Sequence, residues 1–289
     1  MFLYIWKYRR ENDKSSFHKI AFIDNACSVM WIRRYQTAGE FEVYVPATKE
    51  LLNIVRQNEL FITRENDLKN AMKIQKVELN TDPDEGDFLT ITGKSCACII
   101  GQRIVRNQQN LSGKVQDCVY QILESECIEP SQRSDTYQWR KIDVLSIKKT
   151  YLPVSDDFSM QYDGDNVLDV IEDMCAVGGF GYKVEFTGSG FVFSLYQGVD
   201  RTTGQTENPR VVFSEDFENL GQCTYTYDNS NFCNAVLAKG EGSGTGKISV
   251  YWFNREEVVN SKGLCFYEGK IDGSNLSQAT SGGALTPTE

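Results

Sequence analysis

The sequence predicts a mainly β protein with an α+β insertion, two strand-rich ends flanking a helix-containing middle. Three observations predict it. The 289 residues include 14 Tyr and 16 Phe, and aromatic side chains favour strands. Apolar and polar residues alternate along the first hundred residues and again beyond residue 208. Apolar residues recur at helical spacing mainly between 106 and 207. The corresponding domains are 1–105, a first β-barrel; 106–207, the α+β middle; 208–270, a second strand-rich region; and 271–289, a flexible tail.

In the first region "FLYIWKY", "FHKIAFID" and "SVMWIRRY" read as strands. "GEFEVYVPA" places Phe41, Val43 and Val45 on one face and Glu40, Glu42 and Tyr44 on the other. "TKELLNIVRQ" predicts a short helical turn with Leu51, Ile54 and Val55 on one side. "ELFITRE", "AMKIQKVELNT" and "DFLTITGKS" continue the sheet, with a turn at Asp82-Pro83-Asp84-Glu85-Gly86. Short strands at this spacing predict a small antiparallel barrel.

In the middle region Val115, Val119, Ile122 and Leu123 mark a helix. A polar loop, "EPSQRSDTYQWR", and an extended run, "KIDVLSIKKTYL", follow it. The second helix has Val167, Leu168, Ile171, Met174 and Cys175 as its stripe, Asp163 or Asp165 as its cap, and Gly178-Gly179 as its end. "FGYKVEFT" and "FVFSLYQ" form a hairpin around Gly188-Ser189-Gly190. The last region reads as "PRVVFSED", "GQCTYTYD", "NAVLAKG", "KISVYWFN" and "LCFYEGK". It ends in a Ser/Thr/Gly-rich stretch that looks like a tail or linker, and the chain is expected to be a fragment of a longer protein.

The stretch "AKGEGSGTGKIS" tests the chemistry most directly. A phosphate loop requires Gly five residues before Gly246 and a hydroxyl after Lys247, but those positions are Glu241 and Ile248. The loop opens a strand pattern and not a helix whose N-terminus could face a phosphate. A long hairpin loop is the reading. His18 is the only histidine and sits at strand spacing from Ile20 and Phe22, so no Ser-His-Asp or Cys-His arrangement can be built around a second histidine. The carboxylates at 82–87, 155–157 and 163–165 cannot be placed at glycosidase separations from sequence. A calcium loop begun at Asp163 would need Glu at its twelfth position, which is Met174. Asp200 and Arg201 predict a turn held by an ion pair.

Nine cysteines occur without a CxxC; Cys96-Ala97-Cys98 is the closest pair, placed on one side of a strand. Most read as small buried apolar residues in a reducing compartment. The net charge of −10 excludes a phosphate-neutralising nucleic-acid surface. "MFLYIW" lacks a basic start, so no signal peptide is predicted, and no stretch approaches 18 apolar residues. Catalytic, cofactor-binding and metal-binding residues are therefore all predicted to be none.

Five stretches in order carry a resemblance: "DNACSVMWIRRYQTAGEFEVYVPAT", "DFLTITGKSCACIIGQRIV", "VLDVIEDMCAVGGFGYKVEF", "FSLYQGVDRTTGQ" and "VVFSEDFENLGQCTYTYDNSNFCNAVLAKGEG". Together they resemble the tail-hub proteins of long-tailed bacteriophages, of the siphophage type. W-x-R-R-Y-x-x-x-G-E-F-E, from Trp31 to Glu42, and Y-x-G-x-D-R, from Tyr196 to Arg201, are the most specific parts.

The resemblance implies two tail-tube-like antiparallel β-barrels, at 1–105 and 208–270, flanking the helix-containing middle, the second expected to be truncated. It implies a baseplate hub at the tail tip: a homotrimeric structural ring of the virion, active in host cell attachment. Such a ring joins the tail tube or distal tail protein to the tape measure protein and the tail fibre or tip proteins. DNA would pass through without specific binding, and no membrane insertion, cofactor or catalysis is expected. Assembly would occur in the bacterial host cytoplasm, for a phage, a prophage element or a tail-like bacteriocin. The alternative is a β-rich cell-wall glycan-binding module with Trp139 as its platform.

Overall fold

The computed structural model describes residues 2–12, 14–84, 86–130, 138–153, 157–239, 249–256, 264 and 266–272. These fall into two compact units, one of residues 1–158 and 162–198, the other of 159–161 and 199–289. Among the described residues no helix is long and apolar enough to cross a membrane.

The first unit begins with seven strands: β1 (Leu3–Glu11), β2 (Lys14–Ile23), β3 (Ser28–Ile32), β4 (Glu40–Pro46), β5 (Leu60–Arg64), β6 (Asp67–Asp82) and β7 (Gly86–Ser95). They form one sheet in the order β2-β1-β5-β6-β7-β4-β3. A two-residue turn joins β1 to β2, Glu11 facing Lys14, and Asn12 takes a φ of +49° there. Alternation puts Leu3, Ile5, Phe41, Val43, Val45, Leu60, Ile62, Leu89 and Ile91 into one buried core. Helix α1 (Lys49–Val55) packs Leu51, Leu52, Ile54 and Val55 against it; Thr48 caps this helix by accepting from the Leu51 N–H.

The expected closed barrel does not form. β2 and β3 are the two outermost strands and share no ladder. Only residues 24–27 separate them in sequence, so the chain leaves one edge and soon enters the other. Part of that short link is committed elsewhere, the Cys27 N–H donating to the Tyr44 carbonyl. Ile20 and Ala21 of β2 and Val29 and Trp31 of β3 all pack against the same core. The sheet therefore curls around one core while its two outermost strands share no ladder.

The opposite face of β1, β2 and β5 is aromatic. Trp6, Phe17 and Phe61 meet Phe186 and Phe191, with ring centroids 5.0–5.6 Å apart. Those two partners belong to a hairpin of the insertion, β11 (Gly181–Phe186) and β12 (Phe191–Tyr196). Each buried Phe contributes roughly 1.5–3 kcal/mol of transfer free energy, so this cluster binds sheet and insertion together.

A 3-10 helix (Cys96–Gln102) follows β7, and the rest of the insertion holds β8 (Gln109–Lys114), α2 (Val115–Leu123), β9 (Leu145–Ile147), β10 (Asp157–Tyr162) and α3 (Val167–Gly178). α2 and α3 pack on each other through their predicted stripes, and β9 runs parallel to β12. Two expectations need correction. Cys96 and Cys98 lie on the 3-10 helix and not on a strand. The cap of α3 is Asn166 and neither Asp163 nor Asp165: its Oδ1 accepts from the Leu168 N–H at 2.9 Å while its Nδ2 donates to the Gly101 carbonyl at 2.8 Å. An amide does both at once, which a carboxylate cannot. Gly179 ends the helix in the left-handed region, φ +65°.

The second unit contains β13 (Ala235–Lys239), paired antiparallel with β14 (Ser249–Phe253) and parallel with β15 (Glu268–Asp272). This is a three-stranded sheet and not a barrel. "PRVVFSED" and "GQCTYTYD" form no strands; one 3-10 turn, Glu215–Phe217, interrupts the first. Strand propensity is expressed only where a ladder forms, and neither segment pairs with a described strand. The glycine loop at 240–246 lies outside the described residues, as do Cys265 and the tail beyond 272.

Candidate functional site

The most specific sequence signatures converge on one place, in the first unit. The loop 33–39 between β3 and β4 leaves the sheet and docks on the end of α3 and on β11. The Tyr35 hydroxyl donates to the Gly179 carbonyl at 3.3 Å and accepts from the Gly198 N–H at 2.8 Å. Its ring packs edge-on against Tyr196, centroids 5.3 Å apart. Gln36 Nε2 donates to the Cys175 carbonyl at 3.0 Å. The Ala38 N–H donates to Glu172 Oε1 at 2.8 Å, and the Tyr182 hydroxyl donates to the same oxygen at 2.7 Å. Burial, together with the Glu172 carboxylate, pushes the Tyr182 hydroxyl well above the ordinary tyrosine range, so it remains a donor at neutral pH.

Glycine is sterically required at two points of this latch. A Cβ on Gly181 would lie 2.5 Å from the Tyr35 ring, and one on Gly39 would lie 2.3 Å from the Ile32 carbonyl oxygen. Arg34 braces the loop from outside, reaching the Ala38 carbonyl at 3.0 Å and Glu40 at 2.6 Å. The first specific signature thus touches the start of the second, Tyr196 and Gly198. Replacing Tyr35 by Phe removes both hydroxyl bonds and is expected to lower stability by about 1–2 kcal/mol, read as a lower urea midpoint with faster amide exchange at Gly198.

A second clasp was not foreseen from sequence. Arg140 Nη2 meets Glu126 Oε2 at 2.7 Å, both side chains being largely buried at 13% and 5% exposure. Gln109 donates to the other Glu126 oxygen at 3.4 Å, and Arg103 Nε donates to the Arg140 carbonyl at 2.7 Å. The preceding residue, Trp139, stands 75% exposed on a 3-10 turn.

The remaining candidates stay apart. His18 Nε2 contacts Ser16 Oγ at 3.0 Å on an exposed strand. Asp200 and Arg201 do not pair: Asp200 accepts from the Thr202 N–H and Arg201 donates to the Pro209 carbonyl. Among the described residues no group of three His, Cys, Asp or Glu side chains could hold a metal ion. Of eight described cysteines, Cys96, Cys98, Cys118, Cys127 and Cys175 are buried; Cys27, Cys223 and Cys233 are exposed. Burial pushes Cys98 up to about 11 and Cys127 up to about 12, so both are neutral thiols.

A family model described as "Siphovirus ReqiPepy6 Gp37-like protein" matches residues 3–256. No curated protein matches the chain. Among solved structures, the prophage tail protein gp18 from Listeria monocytogenes EGD-e is 9% identical with a TM-score of 0.47, over 94% of this chain and 72% of that one. The tail protein from Neisseria meningitidis MC58 is 12% identical with a TM-score of 0.48, over 95% and 72%. The prophage MuSo2 43 kDa tail protein from Shewanella oneidensis is 10% identical with a TM-score of 0.48, over 96% and 74%.

Proposed function

We propose, from the premise that this chain belongs to the Siphovirus ReqiPepy6 Gp37-like family of phage tail proteins, that it acts as a trimeric hub ring at the tail tip. The ring would continue the tail tube, contact the tape measure and tip proteins, and let DNA pass. The family match over residues 3–256 carries this reading. Two features of the chain support it. The curled sheet keeps β2 and β3 as unpaired edges, which isolated monomers normally guard. The tip of the β6–β7 hairpin carries Asp82, Asp84 and Asp87, a composition that would repel DNA phosphates from a channel wall. A basic lumen in a reconstructed ring would refute the conduit role.

Light scattering on the purified chain is the test: three times the monomer mass is expected. A lasting monomer at high concentration would sink the ring.

A second reading has one observation in its favour, the exposure of Trp139 on a turn anchored by buried Arg140. Under it the chain binds cell-wall glycan through that ring. Trp139→Ala touches no core and is expected to change stability by less than about 0.5 kcal/mol. Under the hub reading it leaves the particle mass unchanged; loss of cell-wall pull-down in this variant would favour the glycan reading.

A further inference from the structure

The second unit exposes large apolar side chains on both faces of one strand. In β14, Val250 and Trp252 point to one side and are 37% and 55% exposed; Tyr251 and Phe253 point to the other and are 42% and 39% exposed. A strand apolar on both faces is the pattern of an internal sheet layer. β13 already has both neighbours, so among the described residues the outer sides of β14 and β15 carry no further strand.

The same unit contains a strand-like sequence outside any described sheet. Residues 221–228, "GQCTYTYD", alternate in the manner of a strand, and Tyr225 and Tyr227 are 87% and 77% exposed. None of their backbone groups pairs with a described strand. A segment of strand-forming residues left unpaired and solvated is a donor for edge addition.

We propose that residues 221–228 of one copy of this chain add as a fourth strand to the free edge of β14 in a second copy. This inference rests on the ring reading above. Charge selects the edge. From Val211 to Ala238 the chain carries Glu215, Asp216, Glu218 and Asp228 and no Lys or Arg. β15 presents Glu268 and Asp272 around a single Lys270, whereas β14 carries no charged residue and only beyond it come Arg255, Glu256 and Glu257. Eight residues span about 26 Å at roughly 3.3 Å each. Donor and acceptor are separate surfaces of the chain, so a one-way contact is head-to-tail and can repeat until the proposed ring closes.

Isotope-mixed cross-linking of the full chain tests this. In a C27S/C233S background, native Cys223 is combined with either Ser249→Cys or Phe253→Cys, the two ends of β14. Equal amounts of 14N and 15N chains are mixed before assembly and treated with a short bismaleimide. The expected result is a peptide pair joining Cys223 to one of these positions, about half of it mixed-isotope; the position that reacts reports strand direction. Thr226→Pro is the companion variant. It breaks no hydrogen bond of the isolated chain, so thermal unfolding of the first unit should not move. Oligomer mass should fall threefold, to one chain. Isotopically pure cross-links, no cross-link, or an oligomer that persists in Thr226→Pro would overturn this inference alone. A monomeric wild-type chain would overturn the ring reading and this inference with it.

Discussion

Arg140→Met is expected to lower the unfolding free energy by about 3–5 kcal/mol, because it strands the Glu126 carboxylate in an environment that leaves it 5% exposed. Glu126→Met should cost a comparable amount from the other side, leaving the guanidinium without its counter-charge. The double replacement by Met at both positions should recover most of the loss, since two apolar side chains of similar volume need no compensation. The urea midpoint of the four species closes the cycle, and a coupling near zero would show that the pair is not the clasp we describe. The local signature should be lost protection at the amides of Ile142 and Leu145. Ile142 donates to the Cys127 carbonyl and Leu145 to that of Ile142, both downstream of the turn Arg140 anchors.

Gly93→Ala is expected to be at least as severe. A Cβ there would lie 1.9 Å from the Lys73 carbonyl oxygen and 2.8 Å from Phe41 Cε1. The oxygen is backbone in the neighbouring strand and cannot rotate away, so β6 and β7 must separate at the point where β6 is already irregular. Gln75 is the extra residue, since Ile74 faces Gly93 and Lys76 faces Thr92. A cost of about 3 kcal/mol or more follows for overpacking that only backbone movement can relieve. Gly221→Ala is the matched control, with nothing within 4 Å of the new Cβ and no positive φ; it should be neutral or stabilising by up to about 1 kcal/mol. Thermal midpoints by near-ultraviolet dichroism would read both. Equal midpoints for the two variants would refute the clash.

Much of the first unit was legible in the sequence. Phe41, Val43 and Val45 point where strict alternation puts them, and α1, α2 and α3 fall on their predicted stripes. Gly179 ends α3 as a left-handed glycine should. Closure was not legible. Whether seven strands join edge to edge depends on shear and twist, which composition does not encode. The Asn166 cap was missed because three acceptors, Asp163, Asp165 and Asn166, stand within four positions, and only the approach of Gly101 chooses among them. The Tyr35 latch was visible as a signature but not as a contact, since Tyr35 and Gly198 are 163 residues apart. The Glu126–Arg140 clasp had no signal: neither residue lies in a motif, and their partnership is set by tertiary approach alone. In the second unit, propensity read two strands that the chain does not pair. A short-range rule counts residues that suit a ladder and not the ladders on offer.

The aromatic seal between sheet and insertion has a consequence during synthesis. All seven strands of the first sheet have emerged by Ser95, whereas Phe186 and Phe191 follow about ninety residues later. At roughly 5–20 residues per second, Trp6, Phe17 and Phe61 wait on the ribosome for several seconds to about twenty seconds with no cover. That interval, and not the finished molecule, is when this polypeptide most needs a chaperone. Slowing translation between codons 96 and 191 should therefore lower soluble yield without altering the product that survives.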